Sequence, residues 1–216
     1  IMSTQKFVGT GVAVTTPFES DYSIDHRALT KHIHFLKENG INFLVILGTT
    51  GESVTLSDDE KKEVVDTVKE ANEGELPFVL GIGGNNTAAI LEKIEKTDFK
   101  GIDGILSVVP YYNKPSQRGL YEHFKAIAEK SPVPIILYNV PGRTGKNIAP
   151  ETIVQLAKDF DNIVAVKEAS GSFTQAMHII QNKPEDFTVV SGEDGITLPL
   201  MSIGIEGVIS VVGNAL

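Results

Sequence analysis

The strongest constraint on the fold is the alternation of eight short apolar segments with amphipathic ones. The apolar segments are rich in Val and Ile and are apolar on consecutive residues, which is typical of parallel strands covered on both faces. They lie at residues 8–14, 43–47, 78–82, 104–109, 134–140, 163–166, 187–190 and 207–212. The amphipathic segments, predicted as helices, lie at 24–39, 57–73, 87–96, 116–130, 150–160, 172–182 and 195–203.

Strict alternation of strand and helix predicts a parallel sheet, and eight units favour a closed (β/α)8 TIM barrel of the α/β class. The alternative is an open Rossmann-like sheet, but residues 15–18 after the first strand read Thr-Thr-Pro-Phe instead of a glycine-rich phosphate loop. We predict that residues 1–216 form a single catalytic barrel domain. Since the chain stops soon after the eighth strand, we expect it to be truncated before an eighth helix.

Several helix ends carry recognisable signals. Ser57 followed by Glu60 predicts a capping box, and Asn39 before Gly40 predicts the end of the first helix. Pro150 suits the first turn of its helix, where its missing N–H would have no partner.

Composition narrows the possible partners. The 216 residues include 28 acidic and 19 basic side chains, a formal net charge of −9, which argues against nucleic acid as a partner. The five His show no spacing suited to a shared metal ion, so we expect no metal and no cofactor.

Location follows from three features of the chain. It contains no Cys, and its apolar runs are too short to cross a bilayer. Its start has no basic segment followed by an apolar one, so we expect no signal peptide. We therefore expect a cytoplasmic protein without a membrane partner.

Lys167 is the sharpest chemical signal, because it follows the sixth apolar segment, at the end of the barrel where active sites lie. Burial there would lower the pKa of the ammonium and prepare an amine nucleophile. The alternative is a lysine that reaches solvent or pairs with Glu168, and this segment alone leaves both readings open.

Other polar residues follow neighbouring strands. Thr49 and Thr50 form a turn whose backbone N–H groups suit a small carboxylate, although a plain turn explains them equally. Tyr138 is either an acid–base group or a packing aromatic, and Arg143 either a carboxylate clamp or a solvated loop residue. We expect helix-cap or structural hydrogen-bonding roles for four carboxylates: Glu52, Glu168, Glu193 and Asp194.

Four motifs together resemble the dihydrodipicolinate synthase family, a branch of the pyruvate-dependent class I aldolases that include N-acetylneuraminate lyase. They read GTTGES at 48–53, PYYNKP at 110–115, LYNVPGRTG at 137–145 and VKEA at 166–169. Each motif is weak alone, but the four in this order are specific, and the resemblance covers essentially all 216 residues.

The resemblance implies a mechanism in which Lys167 forms an imine with pyruvate. Backbone N–H groups of Thr49 and Thr50 would hold the pyruvate carboxylate, and Tyr138 would move protons. Thr49 would link Tyr138 to Tyr112, which the family contributes across a subunit interface.

The resemblance also implies the second substrate. The enamine would add to L-aspartate 4-semialdehyde, held by Arg143, to give 4-hydroxy-tetrahydrodipicolinate in diaminopimelate and lysine biosynthesis. Ile209 and Gly192 match pocket positions of the family, and the implied assembly is a homotetramer.

This chain departs from the family in two respects. The family's C-terminal helical region is missing after the barrel. The family's lysine-feedback site matches at Ser53, Asn85 and Tyr111, but Asp58, Lys61 and Ala89 replace the His, His and Glu that lysine-sensitive members tend to carry. We therefore expect weak or absent inhibition by lysine.

Two rival functions remain at this point. A sister aldolase, such as N-acetylneuraminate lyase or a keto-deoxy sugar-acid aldolase, would share Lys167 and Tyr138 but use another acceptor. A non-catalytic metabolite-binding barrel would share only the fold.

Overall fold

A computed structural model of the chain describes residues 4–216. Residues 1–3 lie outside the described residues. They include the start of the predicted domain and of the segment in which no signal peptide is expected. The eight strands form a closed parallel barrel in chain order, which confirms the (β/α)8 prediction and excludes the open sheet. The strands are β1 Gly9–Ala13, β2 Phe43–Ile46, β3 Phe78–Gly81, β4 Gly104–Val108, β5 Ile135–Asn139, β6 Ile163–Glu168, β7 Thr188–Ser191 and β8 Gly207–Ser210.

Helices connect the strands around the outside of the barrel. They are α1 His26–Glu38, α2 Asp58–Asn72, α3 Thr87–Lys96, α4 Gln117–Lys130, α5 Pro141–Thr144, α6 Pro150–Asp159, α7 Phe173–Asn182 and α8 Thr197–Met201. After β8 the described residues form only a short 3-10 turn, Val212–Asn214. None of the helices within residues 4–216 is long and apolar enough to cross a membrane.

The predicted helix signals are present in the structure. Ser57 and Glu60 form the capping box of α2, and Asn39 is the C-cap of α1. Gly40 has a φ of +78°, a left-handed conformation that glycine adopts without steric cost. Pro150 is the first residue of α6, as predicted.

Three elements that carry Arg143, Asp194 and Lys167 differ from the sequence prediction. The helix α5 was not predicted, because four residues are too short to show a helical period. The predicted helix at 195–203 is divided into the 3-10 turn Asp194–Ile196 and the short helix α8. The strand β6 extends through Lys167 and Glu168, so both residues belong to the barrel wall.

Apolar side chains fill two layers. One layer lies between the strands and the helices, and the other fills the barrel interior. Phe7 packs edge-on against Phe43 in the interior, with ring centroids 5.9 Å apart, at the amino-terminal end of the barrel. The carboxyl-terminal end is therefore left to carry polar side chains.

A register shift between β5 and β6 sets which side chains of β6 face inward. Ile135 pairs with Ile163, but Ile136 pairs with Ala165, so Val164 is an extra residue in the ladder. Val164 and Ala165 both pack in the interior. Since successive side chains of a strand alternate between faces, this extra residue reverses the alternation for the rest of β6.

Candidate active site

The polar rim at the carboxyl ends of the strands is the candidate active site. Two surface clefts, of about 240 and 310 Å³, lie at the other end of the barrel, where they are lined by the strand-start residues Ile163 and Phe78 respectively. Active sites in this fold lie at the carboxyl-terminal face, so neither cleft is the expected site. Within residues 4–216, no three His, Asp or Glu side chains come close enough to hold a metal ion.

Lys167 is buried, with 5% of its surface exposed, on the penultimate residue of β6. The register shift directs its side chain into the barrel interior, and no salt bridge to Glu168 forms between described residues. Burial lowers the pKa of the ammonium to about 8, while the charge of Asp194 raises it and that of Arg143 lowers it further. The alternative interpretation, in which Lys167 reaches solvent or pairs with Glu168, is therefore wrong.

Tyr138 lies beside Lys167. The two residues are register partners on β5 and β6, and Lys167 Nζ is 4.4 Å from the centroid of the Tyr138 ring. Burial raises the pKa of the Tyr138 phenol, while a hydrogen bond with the Thr49 side chain and the charge of Arg143 lower it. A neutral phenol at this position can donate a proton next to the amine, and the resulting phenolate can take a proton back.

Gly192 follows β7 and packs directly against Lys167. A Cβ atom placed on Gly192 would lie 2.9 Å from Lys167 Cε and 2.7 Å from Ala169 Cβ, distances that real Cβ atoms do not show. The position thus leaves room for the lysine side chain only when it is glycine.

Asp194 supplies a carboxylate at the same rim. Burial alone would raise its pKa, but hydrogen bonds from Ser210, Val211 and Val212 lower it, together with the charge of Lys167. The N–H groups of Val211 and Val212 donate to Asp194 Oδ2 at 2.9 and 3.1 Å. Asp194 therefore has the expected hydrogen-bonding role and also acts on the charge of Lys167, which the sequence prediction missed.

The turn that carries Thr49 and Thr50 packs closely against the residues that follow β1, and Thr49 is exposed to solvent. The hydroxyl of Thr16 donates to the carbonyl of Gly51 at 2.7 Å, and a Cβ atom on Gly51 would lie 3.1 Å from the Val14 carbonyl oxygen. Neither the Thr49 N–H nor the Thr50 N–H donates a hydrogen bond to any described residue. The two donors are thus available to an anion.

Arg143 and Ile209 are the two remaining predicted pocket residues, one exposed and one buried. Arg143 is exposed on α5, and its charge reaches both Tyr138 and Lys167. Ile209 is fully buried on β8 and belongs to the interior cluster that contains Tyr138.

Tyr112 is the one predicted catalytic residue that the structure does not place beside Lys167, Tyr138 and Thr49. It is 90% exposed, with a φ of +70°, on the loop between β4 and α4. The side chain therefore packs against little within its own chain.

The predicted effector residues are only partly assembled. Asn85 Nδ2 donates to the Tyr111 carbonyl oxygen at 3.1 Å, which joins two of the three loops. Ser53 lies half-buried in the loop before α2. In α2, Lys61 forms an ion pair with Asp58 at 3.1 Å.

The arrangement suits amine catalysis on a small anionic carbonyl compound. It combines a desolvated amine, a phenol beside it, free backbone donors and an exposed guanidinium at one rim. Covalent imine formation needs a neutral amine and a proton donor in this relation.

Comparison with known proteins identifies relatives along almost the whole chain. The model of the family described as "Dihydrodipicolinate synthetase family" matches residues 6–216. A 4-hydroxy-tetrahydrodipicolinate synthase from Flavobacterium psychrophilum is 56% identical over 210 residues, which cover 97% of this chain and 72% of the relative.

Solved structures show the same similarity. The crystal structure of dihydrodipicolinate synthase from Aquifex aeolicus is 42% identical, with a TM-score of 0.92 over 96% of this chain and 71% of its own. A structure described as the first monomeric dihydrodipicolinate synthase variant is 40% identical, with a TM-score of 0.94 over 99% of this chain and 72% of its own.

Proposed function

Since this chain belongs to the dihydrodipicolinate synthetase family, we propose that Lys167 is the residue through which it carries out the family's reaction. The chain is a lyase-type enzyme that condenses pyruvate with L-aspartate 4-semialdehyde to 4-hydroxy-tetrahydrodipicolinate, a step of diaminopimelate and lysine biosynthesis. The observation that carries the proposal is the burial of the Lys167 amine beside Tyr138, 4.4 Å from its ring centroid.

The first half of the reaction forms the imine. The neutral amine of Lys167 attacks the keto carbon of pyruvate, and water leaves as the C=N bond forms. Tyr138 delivers the proton that the departing oxygen needs, and the Thr49 side chain orients the phenol. The free N–H groups of Thr49 and Thr50 hold the pyruvate carboxylate, which keeps the keto carbon over Lys167.

The second half forms the carbon–carbon bond. The iminium draws electrons from the methyl carbon, which gives a proton to the Tyr138 phenolate left by the first half and becomes an enamine nucleophile. The enamine attacks the aldehyde carbon of the semialdehyde, whose carboxylate pairs with Arg143 through the planar guanidinium. Ring closure by the semialdehyde amine then displaces Lys167, and the enzyme is regenerated.

Gly192 and Ile209 shape the pocket around these steps. Gly192 leaves the space that the Lys167 side chain needs. Ile209 closes the interior beneath the reacting carbon with an apolar surface, which keeps water from the amine.

Tyr112 acts from a second copy of the chain. Its 90% exposure and left-handed backbone suit a side chain that enters a partner's site instead of its own. The proposed assembly is a homotetramer in the cytoplasm. Measurement of molar mass in solution, together with the activity of Tyr112→Ala, tests this step: an unchanged kcat in that variant contradicts it.

Borohydride trapping tests the central proposal. Reduction of the chain in the presence of pyruvate should add one pyruvate-derived group to Lys167, detected by mass spectrometry of the intact protein and its peptides. Lys167→Ala should give no adduct, whereas Lys62→Ala, which removes an exposed lysine of α2, should react like the wild type. A wild-type chain without an adduct would overturn the proposal.

A further inference from the structure

A buried carboxylate lies on the opposite face of the strand from Lys167. Glu168, the last residue of β6, is 3% exposed and faces the helices, while Lys167 faces the interior. No Lys, Arg or His of the described chain forms a salt bridge with it. Such a group must obtain hydrogen bonds from neutral partners, because a buried polar group without them is strongly destabilising.

Every hydrogen bond to Glu168 comes from a neutral donor. Asn139 Nδ2 lies 3.0 Å from Oε2, and Gln175 Nε2 lies 2.9 Å from the same oxygen. The backbone N–H of Ser170 donates to Oε1 at 2.7 Å. The carboxylate is thus an acceptor that three separate segments share.

A fourth residue joins these donors to one another. Asn139 Nδ2 also donates to Asn147 Oδ1 at 2.8 Å, and Asn147 Nδ2 donates to Gln175 Oε1 at 2.8 Å. We call Glu168, Asn139, Asn147 and Gln175 the Glu168 network. It connects the ends of β5 and β6 with α7 and with the segment that follows Arg143.

The network adjoins the reacting pair in the backbone. Asn139 and Glu168 are register partners on the outer face, one residue after the partners Tyr138 and Lys167 on the inner face. The backbone hydrogen bond from Ala169 N to Asn139 O, 2.8 Å long, lies at the same level. A rotation of the backbone at Asn139 would therefore also turn the Tyr138 phenol, and one at Glu168 would turn the Lys167 amine.

We propose that the Glu168 network is a positioning device that sets the geometry of Lys167, Tyr138 and the Arg143 segment for the condensation. The proposal rests on the proposed function. Apolar side chains at these four positions could fill the same space, as they do along the rest of the outer layer. A fully satisfied polar network differs from apolar packing in that it defines one arrangement.

The test is the isosteric change Glu168→Gln. It replaces one acceptor oxygen by an NH2 group, although the side chain is surrounded only by N–H donors. We expect the kcat of the condensation, counted per site trapped with pyruvate and borohydride, to fall by about 10- to 100-fold, since small misplacements of reacting groups have effects of this size. Counting per trapped site removes the effect of unfolded molecules, which a merely structural role would produce. Equal kcat per trapped site would overturn the proposal.

Glu206→Gln is the matched control. Glu206 also accepts a backbone hydrogen bond, from Val189 at 3.1 Å, but it lies just before β8, at the amino-terminal end of the barrel. This variant should keep the wild-type kcat per trapped site. If Glu206→Gln lowered kcat per trapped site as much as Glu168→Gln does, the proposal would be overturned. The decrease would then not depend on the position of the carboxylate at the rim.

Asn147→Ala decides the question if Glu168→Gln does not fold. Asn147 is half-buried in a loop, so its truncation removes three hydrogen bonds of the network without opening the barrel layer. A lower kcat per trapped site supports the proposal and an unchanged value overturns it. Failure of the wild type to trap pyruvate would instead refute the proposed function itself.

Discussion

Gly192 and Lys167 are in such close contact that the glycine defines the space of the lysine side chain. A Cβ atom on Gly192 would lie 2.9 Å from Lys167 Cε and 3.1 Å from Cγ. The lysine side chain could avoid this clash only by leaving its present position. The contact therefore links a backbone position on the loop after β7 to the reactivity of an amine on β6.

We expect Gly192→Ala to lower kcat by about 10- to 100-fold, because the added methyl group displaces the Lys167 side chain. The overpacking should also lower the free energy of unfolding by about 1–3 kcal/mol. Steady-state kinetics and urea unfolding measure the two effects. Gly195→Ala is the control, since a Cβ atom at Gly195 meets no other atom within 4 Å. Wild-type kcat in Gly192→Ala would contradict the packing argument.

The rate of imine formation should depend on pH through Lys167. Burial lowers the pKa of its ammonium to about 8, and only the neutral amine attacks a carbonyl. The rate should therefore rise by about tenfold per pH unit below that value and level off above it. Stopped-flow measurement of pyruvate binding at saturating pyruvate, from pH 6 to 9.5, tests this. A rate that still rises steeply above pH 9 would show an unperturbed lysine.

Lys167 should also make the folded chain less stable at neutral pH. Its pKa of about 8 in the folded state lies below the ordinary lysine value of 10.5, and this difference makes the folded chain about 3 kcal/mol less stable when the amine is protonated. Between these two values the unfolded chain binds the proton and the folded chain does not, so the free energy of unfolding should rise with pH there. Below pH 8 the full cost is present.

The variant Lys167→Met isolates this cost. At pH 7 it should raise the free energy of unfolding by about 1–3 kcal/mol, because an apolar side chain replaces a buried ammonium. The gain should shrink as the pH rises from 8 towards 10.5. Lys62→Met, an exposed change on α2, should leave stability within about 0.5 kcal/mol. A Lys167→Met variant less stable than the wild type at pH 7 would refute the argument.

Tyr138→Phe should slow the reaction without preventing the adduct. Burial keeps the phenol protonated by raising its pKa, so the hydroxyl is a proton donor at neutral pH. Its loss should lower kcat by about 10²- to 10⁴-fold, the usual contribution of general acid–base catalysis. Tyr121→Phe is the control, because the Tyr121 hydroxyl donates to Asp159 at 2.7 Å on the outside of the barrel. An unchanged kcat in Tyr138→Phe would remove this residue from the mechanism.

L-lysine should inhibit this enzyme weakly or not at all. Ala89 offers no carboxylate for the effector's ammonium, and Lys61, paired with Asp58 at 3.1 Å, adds a positive charge to the region. Burial lowers the pKa of half-buried Lys93, and the nearby charge of Lys61 lowers it further. Activity assays with added L-lysine test the prediction, and inhibition at micromolar concentrations would overturn it.

The site was predictable where the chemistry depends on residue type and on the end of a strand. Lys167, Tyr138, Thr49 and Gly192 follow or end apolar segments, so a barrel brings them to one rim. Asp194 was predicted only as a helix-cap or hydrogen-bonding group, because its action on Lys167 depends on the pairing of β6 with β7. Tyr112 is 90% exposed within its own chain, and its proposed role requires a second copy, which local sequence patterns do not indicate.

The sequence by itself determined the class of fold and the position of each strand along the chain, because apolar periodicity and capping residues act locally. Only the tertiary structure decided the direction of the Lys167 side chain. An uninterrupted alternation from Ile163, which faces the helices, would have directed Lys167 outward and Glu168 inward. The extra residue Val164 reverses this order, since it is accommodated in the ladder with β5, a partner more than twenty positions away in the chain. The same shift that directs the amine into the barrel places the carboxylate in its outer network.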